Sequence, residues 1–268
     1  MRIKTILRLN LLVAAALLTG CAPDSSGRFQ GYIEGEYVYA ASPLAGTLTQ
    51  LAVARGDQAK SGQLLFTLER AAEAATLDEA RKNLAQAQAN FALSETNFSR
   101  RQQLRDAQGV VSAEELDQAR AQRDADRAQV AAQQAALARA QWSFDQKQQF
   151  APAKAFVQDT LYRPGEFVAA GNPVVVLLPP ENLKVRFFVP QEILPKIQTG
   201  GRVNVVCDGA AHSYSATISY ISAQVEFTPP VIYNRENRAK LVFMIEAKFS
   251  PADAAELRPG QPVDVKIP

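Results

Sequence analysis

No proline interrupts the chain between Pro43 and Pro152, and between Gly62 and Gly165 the only glycine is Gly109. A stretch this free of breakers, and rich in Ala, Gln, Arg, Glu and Leu, has high helix propensity along its whole length. Within it Leu77, Leu84, Phe91 and Phe98 recur every seven residues, with the small Ala80, Ala87 and Ser94 three further on. Beyond Gly109 a second register runs through Leu116, Val130, Leu137 and Phe144, with Arg123 at one step. Seven-residue spacing marks a coiled-coil seam, and two seams split by one glycine predict an antiparallel helical hairpin. Gly109 can end the first helix in a left-handed conformation. Ser112-Ala113-Glu114-Glu115 is a capping-box pattern that starts the second. The expected tip is Gly109 to Ser112, with Val110 and Val111 exposed. Each arm has about 35–38 residues, hence a length of roughly 55 Å at about 1.5 Å per residue.

The segments on either side of this region repeat one another. Ser42-Pro43 aligns with Ala151-Pro152, Gly56-Asp57 with Gly165-Glu166, and Gly62 with Gly171, all at one offset. An apolar run follows each second glycine: Leu64-Leu65-Phe66 and Val174-Val175-Val176. Gly-Asp and Gly-Glu between apolar runs read as tight turns between short strands. Neither half can bury a core alone, so the two should fold together into one small sandwich.

Ala-Ser-Pro-Leu-Ala-Gly (41–46) followed by Gly-Asp-Gln-Ala-Lys-Ser-Gly-Gln-Leu-Leu (56–65) resembles the first half of a biotinyl/lipoyl-type domain. Ala-Pro at 151 and Arg-Pro-Gly-Glu-Phe-Val-Ala-Ala-Gly-Asn-Pro-Val (163–174) resemble the second. The resemblance departs at Ala155, where the second half normally has the glycine that Gly46 supplies in the first. A carrier domain of that type implies a modifiable lysine on the joining turn. Here Glu69-Arg70-Ala71-Ala72 leads into the hairpin instead, which disfavours a biotin- or lipoate-carrying subunit. A split lipoyl domain with an inserted hairpin resembles the HlyD-type periplasmic adaptor, or membrane-fusion, family. From Leu183 onward, apolar runs at 184–189, 217–221, 240–246 and 263–267, broken by Pro195, Gly200, Gly209 and Pro259-Gly260, fit a small antiparallel barrel. The block Glu226 to Tyr233 with Arg238 to Phe243 is similar to the YbhG-like branch of that family, which is associated with ABC-2 exporters.

The N-terminus reads as an address. Arg2, Lys4 and Arg8 precede an apolar stretch, Leu11 to Leu18, that is too short to span a bilayer. Leu18-Thr19-Gly20-Cys21 resembles a bacterial lipobox, which implies that Cys21 carries lipid and begins the mature chain. Acyl chains contribute about 0.8 kcal/mol per buried CH₂, so they hold a protein on a membrane without a spanning helix. With Cys21 lipidated, no disulfide can form within the mature chain. Cys207, in Val203-Asn204-Val205-Val206-Cys207, is expected as strand core.

The inventory of chemistry is thin. The chain carries 29 Lys+Arg against 27 Asp+Glu and a single histidine, His212. That near-balance argues against nucleic-acid binding, which needs a concentrated basic footprint. One histidine excludes His-rich metal sites and disfavours a Ser/His/Asp triad, and no phosphate loop, CxxC or HExxH pattern occurs. No catalytic residue, metal or cofactor is expected, and His212 reads as an exposed loop residue. Glu114-Glu115 and Asp124/Asp126 read as solvated helix faces.

The expected fold is α+β: a split lipoyl-like β-sandwich with an inserted antiparallel coiled-coil hairpin, followed by a small β-barrel. The divisions are a signal peptide (1–20), a linker (21–28), a first lipoyl half with an N-terminal barrel-side strand (29–68), the hairpin (69–147), a second lipoyl half (148–180) and the barrel (181–268). The family resemblance implies an adaptor of a tripartite export system. It would stand in the periplasm of a Gram-negative bacterium, lipid-anchored and favouring the inner membrane. Its partners would be an inner-membrane ABC transporter, a TolC-like outer-membrane channel and its own copies in a hexameric ring. Many adaptors carry at the tip an Arg, a Leu four residues on and a Ser seven after that. Here Arg101 and Ser112 keep the separation, but Arg105 takes the Leu position and Leu104 sits one earlier. The implied channel-contacting residues are Arg101, Leu104, Val110, Val111 and Ser112. The competing reading is an envelope lipoprotein that uses its coiled coil as a tether, without transport.

Overall fold

The computed structural model describes residues 27–207, 212–227 and 241–267. Cys21, the signal peptide and most of the block that carried the branch resemblance lie outside the described residues. In chain order the elements are β1 (Arg28–Gly35), β2 (Val38–Ala41), β3 (Gly46–Leu51), β4 (Gln58–Ala59), β5 (Leu64–Leu68), α1 (Ala71–Gln108) and α2 (Ala113–Asp145). They continue with β6 (Gln148–Phe150), β7 (Ala155–Thr160), β8 (Phe167–Val168), β9 (Pro173–Leu178), β10 (Leu183–Pro190) and β11 (Arg202–Cys207). The last are β12 (Tyr214–Phe227), β13 (Leu241–Phe249), α3 (Pro251–Ala254) and β14 (Pro262–Lys266). The chain forms two compact units, one of Gly35–Asn182 and one from the segments before and after it.

The sequence repeat becomes a pseudo-twofold axis in the first unit. One sheet has the strand order β2-β9-β7-β4 and the other β6-β5-β3-β8. Each strand of one sheet is the repeat counterpart of the strand in the same place of the other. The connecting hydrogen bonds repeat as well. Gly56 N donates to Val157 O at 2.9 Å and Gly165 N to Leu48 O at 2.7 Å; Gly62 N donates to Ala151 O and Gly171 N to Ser42 O, both at 2.8 Å. The turns close alike, because Asp57 Oδ2 accepts from Ala54 N and Glu166 Oε2 from Arg163 N. Gly56 and Gly165 have φ of 98° and 97°, a backbone state that an L side chain resists. The core is built of counterpart pairs: Leu48 with Val157, Ala59 with Val168, Leu65 with Val174, Phe66 with Val175 and Leu68 with Leu177. Full burial of each large apolar side chain contributes about 2 kcal/mol.

α1 and α2 pack along the expected seam. Leu77, Ala80, Ala87, Ser94 and Phe98 are buried on α1, and Leu116, Ala119 and Ala140 on α2. Leu84, Phe91, Val130, Leu137 and Phe144 are half-buried between them. The arms are unequal, with 38 residues in α1 and 33 in α2. Arg123 does not break the seam. Its guanidinium lies over the Phe98 ring, 4.2 Å from the centroid, and bonds Asp124 Oδ1 at 2.7 Å. Arg127 covers Phe91 and Arg70 covers Phe144 in the same way. Asp126 is half-buried on the seam, where Gln122 donates to it at 3.1 Å, and so is not a freely solvated acid.

The second unit is a closed barrel in the order β1-β10-β13-β12-β11-β14. Strand alternation points Val185, Phe187, Val189, Val203, Val205, Ile245, Ala247 and Val265 inward, where each is almost fully buried. Gly31 lets β1 close the ring: a Cβ there would stand 2.5 Å from Arg186 O and 2.7 Å from Phe187 Cβ. Cys207 is buried at the end of β11, opposite Val263. On the same unit Lys184 Nζ and Arg186 Nη2 both donate to the Glu246 carboxylate at 2.8 Å, and Arg186 also meets Glu34 Oε2 at 2.8 Å. His212 is exposed, with Nε2 3.7 Å from Glu256 Oε2. Among the described residues no helix is long and apolar enough to cross a membrane, and no group of three His, Cys, Asp or Glu is placed to hold a metal ion.

Candidate functional site

The sequence directs attention to the hairpin tip, and local chemistry fixes its shape. Gly109 ends α1 with φ of 66°, its N–H donating to Arg105 O at 3.0 Å. Ser112 starts α2 with a complete capping box. Its Oγ accepts from Glu115 N at 3.2 Å, and its own N–H donates to Glu115 Oε2 at 2.9 Å. The hydrogen bonds from the Ser112 backbone and hydroxyl hold the Glu115 carboxyl below the usual carboxylate value. A two-residue span, Val110-Val111, remains between the caps.

The candidate residues divide by position. Val110 is 68% exposed and projects freely, whereas Val111 is half-buried and so does not match the expectation of an exposed side chain. Arg101 is exposed, and its Nη1 reaches across to Glu115 O at 3.4 Å, which ties it to Ser112 through the capping glutamate. Leu104 is 38% exposed on α1, seven residues beyond Asn97. Beneath them Phe98, Leu116 and Ala119 form a small core that stiffens the end of the hairpin. The tip is thus a rigid, capped corner with exposed apolar side chains and two arginines, Arg101 and Arg105.

The opposite end of the hairpin was not singled out by the sequence. Lys147, just past α2, is 5% exposed. Its Nζ donates to Ala45 O at 2.7 Å and pairs with Glu73 Oε1, in the first turn of α1, at 2.9 Å. Ser42 Oγ donates to Gln146 O at 2.8 Å beside it. Extending the repeat to this position would have shown a lysine where the other half has Val38. The joining turn that carries lysine in carrier domains is here Glu69-Arg70, whose Glu69 Oε1 accepts from Ala71 N at 2.7 Å.

Residues 76–147 match the family model described as the RND MFP alpha-helical hairpin domain. A UPF0194 membrane protein in the asrC 5' region of Acidithiobacillus ferridurans is 28% identical, over 92% of this chain and 88% of that protein. A UPF0194 membrane protein of Yersinia pseudotuberculosis serotype IB is also 28% identical, over 91% and 90%. Among solved structures, the membrane fusion protein Spr0693 of Streptococcus pneumoniae superposes with a TM-score of 0.66 at 19% identity, covering 91% of this chain and 99% of that one. MacA of Actinobacillus actinomycetemcomitans gives 0.59 at 17% identity, covering 91% and 81%. At such identities these two show likeness of fold. A matching hairpin domain inserted into a fold shared with membrane-fusion proteins over nine-tenths of the chain agrees with the split-sandwich repeat. The chain thus carries a hairpin that matches the RND MFP alpha-helical hairpin domain, is similar to UPF0194 membrane proteins over nine-tenths of its length, and shares the fold of membrane-fusion proteins.

Proposed function

We propose that the protein is the periplasmic adaptor of a tripartite exporter, bridging an inner-membrane ABC transporter to a TolC-like outer-membrane channel. The observation that carries this reading is the capped tip. A long two-helix arm rises from the split sandwich and ends in an exposed apolar corner. Lipid on Cys21 would hold the base at the inner membrane, and the resemblance of Glu226 to Phe243 to the YbhG-like branch supports an ABC-2 partner. Self-assembly into a ring would present several tips at once, so each contact with the channel can be weak while the whole is tight. Arg101, Leu104, Val110, Val111 and Ser112 are the proposed contacts, with Val110 the most accessible of the apolar ones.

The test is photo-cross-linking in cells from a reactive residue at position 110. An outer-membrane channel should be captured, and Val110→Asp should abolish channel-dependent export at unchanged protein level. Capture of own copies alone, with normal export in Val110→Asp, would favour the tether reading. A second reading concerns the transporter: the matched hairpin model is described for RND membrane-fusion proteins, which favours an RND partner. Co-purification of an ATP-binding subunit decides for the ABC class, and a large permease without one decides for RND.

A further inference from the structure

Lys147 and Gly46 break the pseudo-twofold symmetry together. Their repeat counterparts are Val38 and Ala155, which belong to one apolar core, Ala155 buried within it and Val38 packed against it. Gly46 has no conformational need to be glycine, since its φ is not in the left-handed range. It has a steric one: a Cβ there would lie 3.1 Å from Lys147 Nζ and 3.3 Å from Leu68 Cβ. The missing methyl makes room for an ammonium that reaches from just past α2 to two other pieces of chain: Ala45 before β3 and Glu73 in the first turn of α1. Its backbone is fixed as well, because Lys147 O accepts from Leu68 N at 2.8 Å.

We propose that Lys147 is a direction clamp for the hairpin. Two short links join the hairpin to the sandwich, at 69–70 and 146–147, and a pair of such links leaves a pivot. The buried ammonium closes that pivot by bonding the root of α1 to the loop before β3 from the end of α2. A charge removed from water is held in place only by its partners, so the ion pair tolerates little displacement of either helix root. At the pseudo-symmetric positions, where no hairpin is attached, stand Val38 and Ala155, with no charge between them and the apolar core around them. The clamp does not depend on the exporter reading; it is a property of how the arm is mounted.

The experiment measures electron–electron distances between genetically encoded spin-label residues at Gln103, near the tip, and Lys60, on the sandwich, in the full chain. A single narrow distance distribution is expected for the natural sequence and one about twice as wide for Lys147→Met. The double variant Gly46→Ala with Lys147→Val copies the Ala155/Val38 pair. It should melt as cooperatively as the natural protein yet show the same broad distribution. Gly46→Ala alone should destabilise when Lys147 is present and not when position 147 is valine. Unchanged width in both lysine variants, or an equal effect of Gly46→Ala in both backgrounds, would overturn the proposal.

Discussion

Glu246 shows how a single side chain sets a pH limit on the barrel. Burial pushes its carboxyl up, but hydrogen bonds from Lys184 and Arg186, and their charges, outweigh that and hold it below the usual carboxylate value. The unfolded chain therefore binds the proton more readily than the folded one in that window. Stability from this group is complete above the unfolded value and is lost as pH falls through the lowered folded value. Glu246→Gln should cost about 2 kcal/mol at neutral pH, because two charge-assisted hydrogen bonds weaken. It should also flatten the decline in melting temperature between neutral and acid pH. Parallel pH profiles for the two proteins would show that the carboxylate is not the titrating group. None of this was visible in the sequence, where Lys184, Arg186, Glu246 and Glu34 are scattered across three strands; only the register that sets Arg186 opposite Glu246 joins them.

At the scale of the element, the hairpin was almost fully legible. Its seam, its capping box and its glycine turn are local patterns, each fixed within a few residues, and the structure places them as the spacing implies. Arg123 is the exception. The seven-residue period marks it as a seam position, yet periodicity cannot say whether a charged residue there is a fault or a fitted part. The partner helix decides, by offering the Phe98 ring as a face for the guanidinium. Arg123→Ala should destabilise the hairpin by about 1 kcal/mol through loss of this stacking. Arg123→Leu should restore the seam and leave hydrogen exchange of α2 as slow as before or slower. If leucine is as harmful as alanine, the ion pairs that Arg123 makes with Asp124 at 2.7 Å and with Glu95 at 3.9 Å carry the stabilisation instead.

At the scale of the whole molecule, the hairpin is an insertion that the sandwich does not need for its core. The thirteen buried residues of that core include none from α1 or α2. The ends left by its removal already touch, since Leu68 N donates to Lys147 O at 2.8 Å. Replacing 70–145 by a short Asn-Gly turn, with Lys147→Val and Gly46→Ala to remove the orphaned clamp, should leave a protein with an intact strand signal by circular dichroism and a cooperative melt. Failure to fold would show that the arm stabilises its own base. On the exporter reading this protein would no longer capture a channel.

The sequence by itself determined the parts whose causes are local or periodic. The helix seams, the glycines that turn the strands, the paired half-motifs and the α+β plan all follow from residues a few positions apart, or from one offset repeated. Tertiary structure decided whatever depends on which distant backbones meet. It closed the barrel with β1 at Gly31, gave Lys147 its partners across the hairpin root, and left Val110 free while turning Val111 partly inward. The physical reason is that propensity and periodicity act along the chain, whereas steric room and charge pairing act across it. A missing methyl at Gly46 acquires its meaning only when an ammonium from a hundred residues away arrives to fill the space.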